Sequence, residues 1–105
     1  MEKKRIVITG MGIISPCGNS VPEFWKNICE GKSGVGPITT FDASAYPSRI
    51  AGQVKNFDVS SIGKKELKRM DKFVQYSIVA TKEAFEDAGI DLEKEDRDQI
   101  GVLVG

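Results

Sequence analysis

Arg5-Ile-Val-Ile-Thr-Gly-Met-Gly-Ile-Ile-Ser-Pro-Cys-Gly-Asn19 is the stretch that decides the class of this chain. Ile6, Val7 and Ile8 follow one another without polar alternation. Apolar runs of that kind suit a parallel strand covered on both faces. Residues 5–14 are therefore expected to form a buried strand, ended by Pro16 and Gly18. Gly10 and Gly12 inside the stretch invite a dinucleotide-binding reading. That motif needs a third glycine where Ser15 stands, and a helix starting at once to receive a pyrophosphate. Here the next helix starts only near residue 20. The glycines are read instead as places where the backbone bends and packs closely.

Outward from that stretch, Asn19 or Ser20 can cap a helix, with Pro22 tolerated in its first turn and Glu23 favourable to its dipole. A helix over 20–30 carries Phe24, Trp25 and Ile28 at helical spacing, and Gly31 is a natural stop. Residues 31–63 are weakly periodic and read as a long excursion of turns, with one short strand within Ile50–Val54. Residues 64–88 read as helical, in one piece or as two consecutive helices. Met70, Phe73, Val74, Ser77, Ile78, Thr81, Ala84, Phe85 and Ala88 form its apolar stripe. The two polar positions of that stripe are small, which lets another backbone approach. Gly89 is the expected stop, and residues 100–105 read as a second buried strand. Strand, helix, excursion, helix, strand is an α/β pattern. Two strands make no sheet, so the chain is expected to be a piece of a larger α/β protein.

Composition narrows the chemistry. Over 105 residues, 40% hydrophobic and 29% charged is ordinary for a globular chain. No apolar run approaches a membrane span, and Met1-Glu-Lys-Lys-Arg5 leads into too short an apolar run for a signal peptide, so a cytoplasmic location is expected. The two cysteines, Cys17 and Cys29, form no CxxC, and there is no histidine. A metal site and a structural disulfide are unexpected, and Ser–His and Cys–His nucleophiles cannot be built. Both cysteines read as packing residues, and no cofactor is expected.

Net charge is zero but uneven. From Lys64 to Lys72 there are five cations (Lys64, Lys65, Lys68, Arg69, Lys72) and two anions, and from Glu83 to Asp98 eight anions and two cations. On one continuous helix, Lys65, Lys68, Arg69 and Lys72 would form a single stripe. Like charges in a row are mutually unfavourable, so a partner is plausible: phosphate groups or an acidic protein surface. Nucleic acid fits less well, because the chain has no basic excess and no aromatic residue interleaves the stripe.

The opening stretch is followed in order by Phe24-Trp25, Gly31-Lys-Ser-Gly-Val35, Phe41-Asp-Ala-Ser44, Ala51-Gly-Gln-Val54, Met70-Asp-Lys-Phe-Val-Gln-Tyr76, Ala84 to Gly89 and Ile100-Gly-Val-Leu-Val-Gly105. The ordered set resembles the N-terminal part of the β-ketoacyl-acyl carrier protein synthases II, thiolase-like condensing enzymes of bacterial fatty acid synthesis. The resemblance implies an α/β chain forming the N-terminal portion of a five-layered α-β-α-β-α thiolase-like fold, within an enzyme that is usually a homodimer. It implies a decarboxylative Claisen condensation between an acyl-enzyme and malonyl-acyl carrier protein. The family's catalytic cysteine, two histidines and lysine correspond to positions beyond residue 105, so no catalytic residue is carried onto this chain. Its docking surface for the acidic acyl carrier protein corresponds to Lys65, Lys68 and Arg69, with Lys64 and Lys72 as neighbours. The implied partners are acyl carrier protein and its acyl and malonyl thioesters, with no nucleic acid and no membrane. Two alternatives stay open: a non-catalytic module that binds a carrier protein, and a chain-length factor that has lost its nucleophile.

Overall fold

The computed structural model describes residues 1–105. In chain order the elements are helix α1 (Val21–Cys29), strands β1 (Val35–Pro37) and β2 (Ile50–Gly52), helices α2 (Lys64–Leu67) and α3 (Lys72–Ala88), and a 3-10 turn at Arg97–Gln99.

Helix α1 starts because Ser20 is extended (φ −150°, ψ 158°) and its hydroxyl accepts from the Glu23 amide at 3.3 Å. The Glu23 carboxylate reaches back to accept from the Asn19 amide at 2.9 Å. Two of the helix-terminal donors are thus satisfied from within the first turn. The helix ends in a Schellman motif around Gly31, whose φ of 69° favours glycine. The Gly31 amide donates to Ile28 O at 3.0 Å and the Lys32 amide to Asn27 O at 2.9 Å. Gly89, at φ 66°, closes α3 the same way, with Ile90 donating to Phe85 O at 3.3 Å.

Residues 5–14 do not form the expected strand. They join no ladder, and Ile6 and Ile8 stay 93% and 85% exposed. The reason is the neighbour that the fold gives them. Residues 10–13 lie along α3, a helix, which offers no row of free backbone groups to pair with. Side-chain carboxylates take over part of that role. Met11 N–H donates to Asp87 Oδ2 and Ile13 N–H to Glu83 Oε2, both at 3.0 Å. The approach is close enough to exclude a side chain at the glycines. A Cβ on Gly10 would fall 2.7 Å from the Ala88 Cβ, and one on Gly12 only 2.8 Å from the Ala84 amide and closer still to the Ala80 carbonyl oxygen. Residues 100–105 likewise join no ladder, and Leu103 is 99% exposed, because nothing in the chain lies beside them.

The sheet lies instead inside the excursion. Strands β1 and β2 pair antiparallel, with Val35 opposite Gly52 and Pro37 opposite Ile50. Beyond the strand ends, the Gln53 amide continues the pairing. Its Oε1 accepts from Thr39 N at 3.1 Å and Thr40 N at 3.3 Å, while its Nε2 donates to Pro37 O at 3.0 Å. The turn Ser15–Gly18, closed by reciprocal backbone bonds of 3.0 and 3.2 Å, wedges Pro16 against this ribbon. A Cβ on Gly34 would sit 2.8 Å from the Pro16 Cβ, and one on Gly52 3.0 Å from its Cγ. Few side chains are fully enclosed. Ala43 and Ile62 are the buried hydrophobics, and the radius of gyration is 17.5 Å where a self-contained domain of this length has about 13 Å.

Candidate functional site

The helical run 64–88 breaks between Leu67 and Lys72. Helix α2 ends at Leu67, with Lys68 as its C-cap and Arg69 N–H donating to Glu66 O at 2.9 Å. Asp71 is then extended (φ −69°, ψ 160°) and caps a new helix, its carbonyl accepting from Val74 and Gln75 at 3.1 Å each. The Gln75 side chain donates from Nε2 to Met70 O at 3.1 Å and ties the junction down. This corrects the single stripe expected of Lys65, Lys68, Arg69 and Lys72. A helix that stops at 67 and restarts at 72 cannot carry their i, i+3, i+4, i+7 register. Lys64 and Lys65 stand on α2, Lys68 and Arg69 on the connecting turn, and Lys72 opens α3.

What survives is the cluster itself. All five cations are exposed, while Leu67 and Met70 between them are half-buried. The turn before α2 holds the cluster up. Asp58 accepts from Ser60 N at 2.8 Å and from Ser60 Oγ at 2.9 Å, and Ile62, donating to Val59 O at 3.0 Å, is buried beneath. Those two bonds, the backbone one foremost, hold the Asp58 carboxyl below its usual pKa.

The two charged blocks of the sequence fare differently. The ion pairs of the chain are Lys32–Glu30, Lys94–Asp91 and Arg97–Glu93, and none uses a residue of the basic cluster. Much of the acidic block is engaged within the chain. Asp91 and Glu93 are in those pairs, Asp87 and Glu83 hold Met11 and Ile13, and Glu83 Oε1 also accepts from Val21 N–H at 2.7 Å, at the start of α1. Five like charges held at the surface without internal partners leave a positive face open to an acidic surface.

Sequence reasoning did not single out the cleft beside this cluster. About 440 Å³ in volume, it is lined by Lys72 and Tyr76 from one face of α3, and by Thr40, Gly52, Gln53 and Val54 from the ribbon. The Tyr76 ring is set edge-on to Phe57 with centroids 4.8 Å apart. The only signal in the sequence is the four-residue spacing of Lys72 and Tyr76, which does not reveal what the ribbon brings opposite.

The chain brings together no nucleophile and base. Cys17 is half-buried in the Ser15–Gly18 turn, where a Cβ on Gly34 would fall 2.9 Å from its Sγ, and Cys29 is exposed at the end of α1. No group of three or more histidine, cysteine or acidic side chains is arranged to hold a metal ion. Gly10 and Gly12 face α3 and not a phosphate, as their packing requires.

Comparison with known proteins places this arrangement. The family model for the beta-ketoacyl synthase N-terminal domain matches residues 3–105. A protein of Synechocystis sp. named 3-oxoacyl-[acyl-carrier-protein] synthase 2 is 44% identical over 106 residues, covering 100% of this chain and 26% of its own length. Its namesake in Staphylococcus aureus is 47% identical over 105 residues, covering 99% of this chain and 25% of its own length. The chain thus spans about a quarter of the curated relatives it matches. Among solved structures, the ishigamide ketosynthase/chain length factor superposes with a TM-score of 0.74 at 34% identity, over 83% of this chain and 22% of that one.

Proposed function

The chain belongs to the β-ketoacyl synthase family, and from that premise we propose that it is the N-terminal part of a 3-oxoacyl-[acyl-carrier-protein] synthase acting in fatty acid elongation. Its fold is the N-terminal portion of the family's thiolase-like α/β fold. The reaction joins C2 of malonyl-acyl carrier protein to the carbonyl carbon of an enzyme-bound acyl thioester. The malonyl carboxylate leaves as carbon dioxide, and the enzyme thiol leaves the acyl group. The product is a 3-oxoacyl-acyl carrier protein. With no histidine in its sequence, this chain supplies scaffold and docking to that chemistry. Lys64, Lys65, Lys68, Arg69 and Lys72 form the face that receives the acidic carrier protein. We place the working enzyme in the cytoplasm as a homodimer; no helix of this chain is long and apolar enough to cross a membrane.

The observation that carries the activity is identity of 44–47% to named synthases across nearly the whole chain. The test uses the full-length enzyme with acyl- and malonyl-acyl carrier protein, following carbon dioxide and the 3-oxoacyl product by mass spectrometry. Product two carbons longer than the acyl donor is expected. Carrier-protein binding without condensation would instead support the second reading, a chain-length factor, which the likeness to a ketosynthase/chain length factor structure favours.

A further inference from the structure

Helix α2 has a single turn, no side-chain cap at its start, and Leu67 as its one half-buried residue. It takes its position from the segments on either side. On the far side the Gln75 side chain holds Met70 O. On the near side residues 55–63 are held at three points: Ile62 is buried, the Phe57 ring lies edge-on against Tyr76, and the Lys55 carbonyl accepts from Asn19 Nδ2 at 2.6 Å. Asn19 is itself fixed, because its backbone N–H donates to Glu23 Oε2 in the first turn of α1. Two features of this third tie run against local preference. Asn56, next to the accepting carbonyl, is the one residue other than glycine with a positive φ, at 54°. The tie also leaves Asn19 Oδ1 enclosed and accepting nothing, alone among the buried side-chain oxygens and nitrogens. Flipping the amide would set Oδ1 against the Lys55 carbonyl, so the orphaned acceptor comes with the tie.

An enclosed acceptor without a partner costs about as much as a side-chain-to-backbone bond contributes, so the tie adds little to stability. Its effect is on position. We infer that Asn19 and Asn56 are positioning residues: the Asn19–Lys55 tie fixes where residues 55–63 leave the ribbon, and so sets the place of the basic face. The inference rests on the carrier-docking reading above. Asn19 does not touch the carrier protein in this account. It acts through the Lys55 carbonyl and the chain that follows, with Phe57 directly after Asn56 seated on Tyr76. A face made of long exposed cations gains from a fixed base, since ordering left to the encounter weakens binding. Asparagine at 56 suits the left-handed conformation far better than a β-branched residue would.

The test uses the full-length enzyme, with amide hydrogen exchange read over residues 55–67 and steady-state kinetics with malonyl-acyl carrier protein. Asn19→Ala removes the bond and the orphaned acceptor together, so the denaturant midpoint should hardly move. The amides of residues 57–67 should exchange faster, and KM should rise about threefold at unchanged kcat, within the scale of one hydrogen bond. Asn56→Val disfavours the positive φ and should act in the same direction, adding little in an Asn19→Ala background. Asn56→Gly keeps that φ without strain and should stay near wild type. A tie that is merely structural would lower the midpoint and leave KM alone, which overturns the inference. If Lys68→Glu with Arg69→Glu raises KM while Asn19→Ala changes neither exchange nor KM, the inference falls and the docking reading stands. If the charge reversal leaves KM unchanged, the docking reading falls and takes this inference with it.

Discussion

The contact between residues 10–13 and α3 and the basic cluster at residues 64–72 are opposite kinds of surface. In the first, backbone meets backbone so closely that a single methyl has no room at Gly12, and carboxylates hold the intervening amides. In the second, five cations stand exposed and unpaired on a short helix, a turn and the start of α3. Repulsive overlap rises within tenths of an ångström, whereas the interaction of exposed charges changes over a Debye length of about 8 Å. Substitutions at the first should therefore change folding and leave binding alone, and those at the second the reverse.

The largest effect is expected at Gly12. Gly12→Val in the full-length enzyme drives side-chain atoms into the Ala80 carbonyl and the Ala84 amide. Overpacking of this kind costs about 3 kcal/mol where the backbone cannot yield. The denaturant midpoint should fall sharply or soluble enzyme should be lost, and added salt should rescue neither. A Gly12→Val enzyme of wild-type stability would break the comparison at its rigid end.

Glu83 comes next, since one carboxylate serves both Ile13 N–H and Val21 N–H. Glu83→Ala leaves two amides without their acceptor, at about 2 kcal/mol for a partly buried pair. Glu83→Gln keeps one acceptor oxygen and turns an NH2 toward the other amide, so it should recover only part of that loss. Equal stability of the two variants would mean that water already satisfies one amide.

The basic cluster is predicted to answer in kinetics instead. Lys68→Glu with Arg69→Glu should raise KM for acyl carrier protein about tenfold, as for reversal of two exposed charges on an electrostatic docking face. The denaturation curve should not move, and the wild-type KM should rise with salt while the double variant's hardly does. A kcat loss with unchanged KM would remove these residues from docking.

These two regions were also unequally legible. That Gly10 and Gly12 mark a close backbone approach could be read from the sequence, but their partner could not: the small stripe positions expected to receive a backbone were Ser77 and Thr81, whereas the glycines meet Ala80, Ala84 and Ala88. The α1 boundaries followed from Ser20 and Gly31, whose capping chemistry is local. Residues 5–14 and 100–105 misled because a strand is defined by its neighbour, and no neighbouring strand lies within this chain. Strand β1 was missed because Val35-Gly-Pro37 has neither length nor alternation. Two consecutive helices were one of the two readings of residues 64–88, but the position of the break was hidden by its flanks, since Lys68, Arg69 and Lys72 continue a helical register that only the backbone interrupts. The cationic cluster was plain from composition along the chain. The cleft at Lys72 was not, because Thr40 and Val54 arrive from a ribbon more than a dozen residues away in sequence.

The smallest effect concerns the support under the charged face. Asp58 accepts from the Ser60 amide and hydroxyl, and its carboxyl pKa is lowered from 3.8. A group whose folded pKa lies below its unfolded value favours folding above the unfolded value and loses that contribution as pH falls through the folded one. The turn is therefore fully held at neutral pH and loosens only in acid below about pH 3.8. Because Asp58 is exposed, the change should be local: faster exchange of the Ser60 amide, with the contact at Gly12 unmoved. Asp58→Asn should make that exchange insensitive to acid while keeping one acceptor for the amide. If the wild-type amide were equally protected on both sides of that pH, the burial of Ile62 alone would be holding the basic face in place.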